Sequence, residues 1–227
     1  YAKRIQNAIL PPKKLVKEWL PNSFIFYQPK DIVAGDFYWM ETSDNFLFFA
    51  VADCTGHGVP GAMVSVVCHN ALNRAVKEFG IKDPGKILDK TKELVIEQFE
   101  NDEEEVKDGM DIALCRLNLN TNEVSYAGAN NPFWVLRKDS DSIEEIKATK
   151  QSIGKAYSSV NYETHSIQLN KGDSMYLFSD GFADQFGGEK GKKFKYKPFK
   201  NLLIKLATLN IEEQKDKLEK AFNDWKG

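Results

Sequence analysis

Apolar and aromatic positions along the chain follow two periods, one near two residues and one near 3.6, and the switches between them predict the elements. YAKRIQNAIL opens with Ile5, Ala8 and Ile9 at helical spacing and stops at Pro11 and Pro12. SFIFYQ, FYWM and FLFFAVAD are aromatic and β-branched runs that predict strands, with a Gly-containing turn, DIVAGD, between the first two. From about Gly58 to Phe79 the apolar positions Met63, Val66, Val67, Ala71, Leu72, Ala75 and Val76 return to helical spacing, and Gly80 ends the run. A further helix fits Pro84 to Phe99, with its proline in the first turn. Acidic NDEEEVKD then leads into IALCRLNL, EVSYAGA and FWVLR, a predicted meander, followed by the strands THSIQL and DSMYLFS. FGGEKGKKFKYKPFK reads as a Gly- and Lys-rich loop, and NLLIKLATL and IEEQKDKLEKAF read as helices. The order is strands, helix pair, strands, helix pair. It predicts an α+β sandwich of two mostly antiparallel sheets with helices outside, although periodicity alone leaves other α+β layouts open.

Composition narrows the functional classes. At 227 residues and 42% hydrophobic, the chain is long enough to bury a substantial single core. Its longest apolar runs fall far short of the roughly 20 residues a membrane span needs, which predicts no membrane insertion of this domain. A formal charge of −2 argues against a general nucleic-acid binder. Three unevenly spaced cysteines do not suggest a disulfide framework, and a reducing, cytoplasmic setting is expected, either for the domain alone or as part of a larger, membrane-anchored protein.

Three segments carry candidate chemistry. AGDFYW places Asp36 after a Gly turn, while FAVADCTG and YLFSDGFAD end apolar runs on Asp53 and Asp180. A carboxylate at the end of an apolar strand needs a partner or water. A single Asp-Gly is ordinarily just a turn, but several such strand ends converging would form an oxygen-only site for hard Mg2+ or Mn2+. The glycines would let the backbone turn sharply and bare its carbonyls.

GDFYW, VADCTGHGVPGAM, AGANNPFW and YLFSDGFADQFGG, in that order, resemble the metal-dependent protein phosphatase (PPM) superfamily, in its bacterial sporulation-phosphatase, SpoIIE-like branch. The resemblance spans nearly the whole chain. It implies an αββα sandwich, like protein phosphatase type 2C, holding two Mn2+ or Mg2+ ions between its sheets and hydrolysing phosphoserine or phosphothreonine on a partner protein. It further implies that Asp53 bridges the metals, the Cys54 carbonyl binds the second, Asp36 holds metal-bound water there, and Asp180 ligates the first. Two divalent cations about 3.5 to 4 Å apart would activate a water and neutralise phosphoryl oxygens, with no covalent enzyme intermediate.

Two departures from the family pattern bear on the site. The family places another Asp, often an Asp-Asp pair, before a last core strand, whereas after Asp184 only Asp216 and Asp224 remain, both in a helical pattern. Residues 13–227 are therefore expected to be the phosphatase domain short of its last strand, with an incomplete first metal site, and residues 1–12 the end of a linker helix from a longer protein. His57 follows the presumed bridging Asp by four residues rather than two, which favours turn geometry and helix capping over proton donation.

Other readings of the same residues fare worse. Cys54 lacks the Arg of a Cys-x5-Arg phosphatase loop, and the Cys68 to Arg74 match lies inside a predicted helix. Ala62 and Met63 stand where a nucleotide P-loop needs Lys and Ser or Thr. A zinc site from Cys54, His57, Cys68 and His69 would require adjacent helical residues to face one ion. The lysines at 190, 192, 193, 195, 197 and 200 suggest a solvated flap beside the site, suited to an acidic or phosphorylated partner, over a nucleic-acid patch. Asp111, where the family often has Thr, is a turn residue or a metal or water ligand. Asn130 and Asn131 are expected as turn formers, Asn130 with a lesser option of bordering the site. Asp184 and Gln185 either position substrate or simply face solvent.

The expectation is a metal-dependent serine/threonine phosphatase domain at the output end of a signalling protein. An upstream sensor domain would act through the first helix, with homodimerisation left open, and the substrate would be a regulator of the anti-sigma-factor antagonist type. A catalytically weak module that binds a phosphoprotein is the second expectation.

Overall fold

The computed structural model describes residues 1–99, 108–156 and 159–227; the acidic stretch expected after the second long helix lies outside these, apart from Asp108. The chain forms four layers. Helices α3 (Gly58–Asn73) and α4 (Pro84–Phe99) cover one face of a five-stranded sheet ordered β1-β2-β3-β4-β7. Its strands are β1 (Phe37–Ser43), β2 (Phe46–Cys54), β3 (Met110–Asn118), β4 (Glu123–Ala129) and β7 (His165–Gln168). A second sheet, ordered β6-β5-β8, is built from β5 (Phe133–Leu136), β6 (Ile143–Ile146) and β8 (Ser174–Tyr176), and α5 (Tyr196–Leu206) and α6 (Ile211–Lys226) cover its outer face. Every strand pair within these sheets is antiparallel. The α+β sandwich predicted from the pattern is observed, in the αββα arrangement that the family resemblance implies.

Alternation sorts each strand between two cores. In β2, Phe48, Ala50, Ala52 and Cys54 face the helices, while Leu47 and Phe49 face the second sheet. β3 does the same, with Ile112 and Leu114 toward the helices and Ala113 and Cys115 toward the seam between the sheets. A third core, around Trp134, Phe178, Phe182 and Phe199, fills the space beneath α5 and α6. Continuing α3, Arg74–Glu78 form a wider π turn; Gly80, at φ 62°, then turns the chain out, and Ile81 closes the end by donating to the Ala75 carbonyl. At α6 a capping box between Asn210 and Glu213 fixes the start.

Several elements differ from the sequence reading. SFIFYQ lays Phe24 and Phe26 against the third core but forms no ladder, so its aromatic and β-branched run reported burial rather than strand pairing. DSMYLFS pairs only over Ser174–Tyr176, because its partner β5 begins directly after Pro132, which has no N–H to give. Two elements had no clear signal: α2 (Lys13–Trp19), a short helix that buries only Val16, and β6, whose centre is two glutamates. The Lys-rich loop contains a hairpin of β9 (Phe186–Gly187) and β10 (Lys192–Lys193) and the first turn of α5, where Pro198 is tolerated. α1 (Ala2–Ile9) forms as expected and packs on α3.

Leu72, fully buried between α3 and the first sheet, offers a test of this layering. Leu72→Ala is expected to lower the unfolding free energy by about 2–5 kcal/mol in urea titrations. A loss below 0.5 kcal/mol would mean that α3 does not pack as described.

Candidate active site

One end of the inter-sheet seam collects acidic residues, and strand register explains why. Phe37 pairs with Ala52, Ala52 with Ile112, and Ile112 with Ala129, forming one row across four strands. One residue further along stand Asp36, Asp53, Asp111 and Asn130, with Asp53 directly opposite Asp111. These positions share parity with the residues that face the seam, so the row is presented between the sheets. Asp180 comes from the opposite side, on the turn after β8.

Asp36 is held from both sides. Its Oδ2 accepts from Ser179 Oγ at 2.6 Å, and its carbonyl accepts from the Tyr27 hydroxyl at 3.1 Å. Burial first, then the Asp36 charge, pushes Tyr27 up to about 12, so it remains a donor at neutral pH. Asp53 has no such support: burial and the neighbouring Asp36 and Asp180 carboxyls push it up to about 8. Asp180, open to solvent on one side, is also raised, first by partial burial and then by the charges of Asp184 and Asp36.

The Cys54 side chain is buried on the helix-facing side, and burial pushes its thiol well up. That leaves its carbonyl as its available ligand atom. This carbonyl lies against Gly35, where a Cβ would stand 2.7 Å from it and 2.8 Å from the Gly56 carbonyl. A Cβ on Gly61 would meet the Gly56 carbonyl from the other side, and Gly56 itself is at φ 88°. Three glycines therefore permit the Cys54–Gly56 turn to nest between the approach to Asp36 and the start of α3.

The remaining expected residues divide. Asp111 takes part in a network in which its Oδ1 accepts from Asn130 Nδ2 at 2.9 Å and from Ser152 Oγ at 2.5 Å. Asn130, at φ 60°, is thus both a turn residue and a neighbour of the acidic row. His57 occupies the N-cap position of α3, but its side chain makes no capping bond. It projects outward, 92% exposed, with Nδ1 3.8 Å from Asp31 Oδ2. The capping role expected of this side chain is therefore not seen: the backbone alone fills that place. Asp184 donates its N–H to the Asp180 carbonyl and pairs with Lys193 at 2.6 Å, bringing the basic hairpin beside the site. Gln185 bonds the carbonyl of Phe186, while its own carbonyl accepts from Trp225. Asp216 and Asp224 lie on α6, Asp224 paired with Lys220. Ser179 and Ser152 were not singled out from the sequence, Ser179 having only the hint of adjoining Asp180, and Gly35 was read as a turn residue without its contact to the Cys54 carbonyl.

Carboxyl groups dominate the seam end, the chemistry that suits a hard divalent cation, and a carboxyl that keeps its proton to about pH 8 has room in its energetics for a cation instead. Among the described residues no three or more His, Cys, Asp or Glu side chains form a ready cage, so carbonyl oxygen and water would have to complete the coordination.

Known proteins place the chain. The family described as Stage II sporulation protein E (SpoIIE) matches residues 43–227. The phosphoserine phosphatase RsbU of Bacillus subtilis (strain 168) is 27% identical over 188 residues, covering 81% of this chain and 52% of RsbU, so the chain spans about half the length of that relative. The SiaA-PP2C domain of Pseudomonas aeruginosa superposes with a TM-score of 0.89 at 30% identity, over 100% of this chain and 88% of that one. The PP2C phosphatase domain and regulatory-domain fragment of SpoIIE from Bacillus subtilis has a TM-score of 0.66 at 18% identity, over 84% and 53% of the two chains, a likeness of fold. With the four layers and the acidic row in place, this chain belongs to the SpoIIE family of PP2C-type phosphatase domains.

Proposed function

We propose that this domain hydrolyses phosphoserine or phosphothreonine on a partner protein, using two Mn2+ or Mg2+ ions held at the seam end. The observation that carries this reading is the meeting of Asp36, Asp53 and Asp180 there, with Asp53 raised to about 8 by its surroundings. Asp53 would lie between the two cations, the Cys54 carbonyl and Asp36 would serve one of them, and Asp180 the other. When bound, the cations would lower the pKa of water toward neutrality and offset the charge on the phosphoryl oxygens. The chain's own residues orient these ligands. Ser179 and Tyr27 fix Asp36, the glycine nest aims the Cys54 carbonyl, and Asn130 and Ser152 hold Asp111 in place beside Asp53. His57, exposed at the start of α3, would be free to meet substrate rather than metal.

The relative RsbU is named a phosphoserine phosphatase, which supports the substrate class. We extend the reading to a phosphorylated signalling regulator of the anti-sigma-factor antagonist type, met in the cytoplasm, with a sensor domain upstream in the longer protein. The lysines of the β9–β10 hairpin beside Asp184 would favour an acidic partner surface. Among the described residues no helix is long and apolar enough to cross a membrane. A second reading, a phosphoprotein-binding module with weak turnover, draws on the lack of a ready-made cage among the described residues.

Two measurements test this reading, the first of them against the binding module. Mn2+-dependent hydrolysis of p-nitrophenyl phosphate and of a phosphoserine peptide is expected, with Asp53→Ala lowering kcat on the order of 10^3-fold or more while retaining its unfolding transition. Activity untouched by Asp53→Ala would remove the proposed mechanism, and no turnover with retained phosphopeptide binding would favour the binding module.

Proton linkage supplies the second. An Asp titrates near 4 when unfolded, whereas folded Asp53 holds its proton to about 8. Its contribution to metal-free stability is therefore full below the unfolded value and lost as pH rises through about 8. Since a cation needs the carboxylate, Mn2+ binding between pH 6 and 7.5 should release about one proton and tighten up to about tenfold per pH unit. Calorimetric titrations in buffers of different ionisation enthalpy measure this; identical heats in every buffer would contradict it.

A further inference from the structure

We propose that Gln6 is a positioning residue that holds the segment leading to Asp36 in its metal-binding arrangement; this rests on the reading of Asp36 as a site residue. α1 buries one residue, and that residue is an amide, 4% exposed. Its Oε1 accepts from the Ala34 N–H at 3.1 Å, while Nε2 donates to the Ala34 carbonyl at 2.5 Å and to Ser65 Oγ at 3.4 Å. Ser65 is fully buried on α3 and passes its own hydrogen to the Ala62 carbonyl at 2.6 Å.

The partners are what give this amide its role. Ala34 precedes Gly35, whose Cα side lies against the Cys54 and Gly56 carbonyls, and Gly35 precedes Asp36. Ser65 sits one turn after Gly61, which closes the same nest from the α3 side. Gln6 thus joins the two walls of the Cys54–Gly56 turn from behind. Among the described residues no backbone group bonds the Ala34 peptide, so its position depends on the glutamine. An apolar residue at position 6 could fill the space yet could not fix that peptide, and a burial role alone would favour one. The amide stands where the backbone it grips carries Asp36 two residues later. Because the rest of α1 is exposed or half-buried, displacing this short helix would release the grip without dismantling a core.

The test compares Gln6→Leu, which keeps volume and loses the hydrogen bonds, and Gln6→Ala with Asn7→Ala, an exposed position on the same helix, in protein titrated calorimetrically with Mn2+ alone up to millimolar concentration. Both Gln6 variants should bind Mn2+ about 10- to 100-fold more weakly, as loss of an outer supporting group does in metal sites, while Asn7→Ala binds normally. The loss should shrink or vanish in an Asp36→Asn background, because the effect passes through that carboxylate. Unchanged affinity in Gln6→Leu, or the same factor lost with Asp36→Asn present, would overturn the inference. So would loss of the cooperative unfolding transition in Gln6→Leu, which would make the residue a plain fold contact. If the unsubstituted protein binds no Mn2+, the metal reading falls first and this inference with it; if only the Gln6 variants behave like the unsubstituted protein, this inference alone fails.

Discussion

Crowding of carboxyl groups at the end of an apolar seam is the constraint from which the rest of the site follows. Asp53 stands directly across a strand pair from Asp111, and Asp36 and Asp180 add charge from either side. Like charges directly opposite each other on a sheet repel, and a half-buried carboxylate has little water to offset this. The structure meets the problem differently at each position. Asp111 receives two donors, from Asn130 and Ser152, and Asp36 receives the Ser179 hydroxyl. Asp53 receives no donor other than neighbouring carboxyls among the described residues, and it holds a proton to about pH 8. The one carboxyl left without its own donor is the one central to the row, where a cation would replace several repulsions with attractions.

The fold exists around that row in a specific sense. A single sheet with helices on one face would leave the acidic row open to water, where its carboxylates would ionise separately. Packing the β6-β5-β8 sheet over Leu47, Phe49, Ala113 and Tyr126 dries the seam and stops it just short of Asp53. Asp180 can then approach from the second layer, on a turn backed by Phe178 and Phe182 in the third core. Both layers are needed because the acidic groups come from both sides of the seam.

Much of this was legible in the sequence because it depends on local periodicity. Apolar spacing indicated two sheets with helices outside and the family resemblance narrowed this to the four layers, while Asp53 and Asp180 stood out as the ends of apolar runs and Asp36 as the residue after a Gly turn. The Gly35 contact was not legible, since nothing in AGD says that the Cys54 carbonyl lies 2.7 Å from where a Cβ would be. Ser152 was equally hidden: it reaches Asp111 from 41 positions away, and polar residues in loops carry no periodic signal. SFIFYQ failed for the converse reason, because an aromatic and β-branched run marks a segment that packs on a core whether or not a neighbouring strand supplies hydrogen bonds. The four-residue spacing from Asp53 favours turn geometry and capping for His57, but capping is a matter of side-chain direction, and this ring turns to solvent.

The site's precision therefore has two sources of different stiffness. Asp53 and Asp111 sit in a continuous antiparallel ladder, tied by backbone bonds that do not depend on any one side chain. Asp36 and Asp180 lie just outside the ladders, on segments whose positions rest on single contacts such as Ser179, Tyr27 and the Gln6 amide. Groups on the ladder can shift only by breaking the sheet, whereas groups on the flanking segments can shift when one hydrogen bond is exchanged for another. A signal arriving at α1 has a route to Asp36 through the Ala34 peptide and none that direct to Asp53. Any graded control of this site would accordingly act on the flanking carboxylates while the central one stays fixed in its strand.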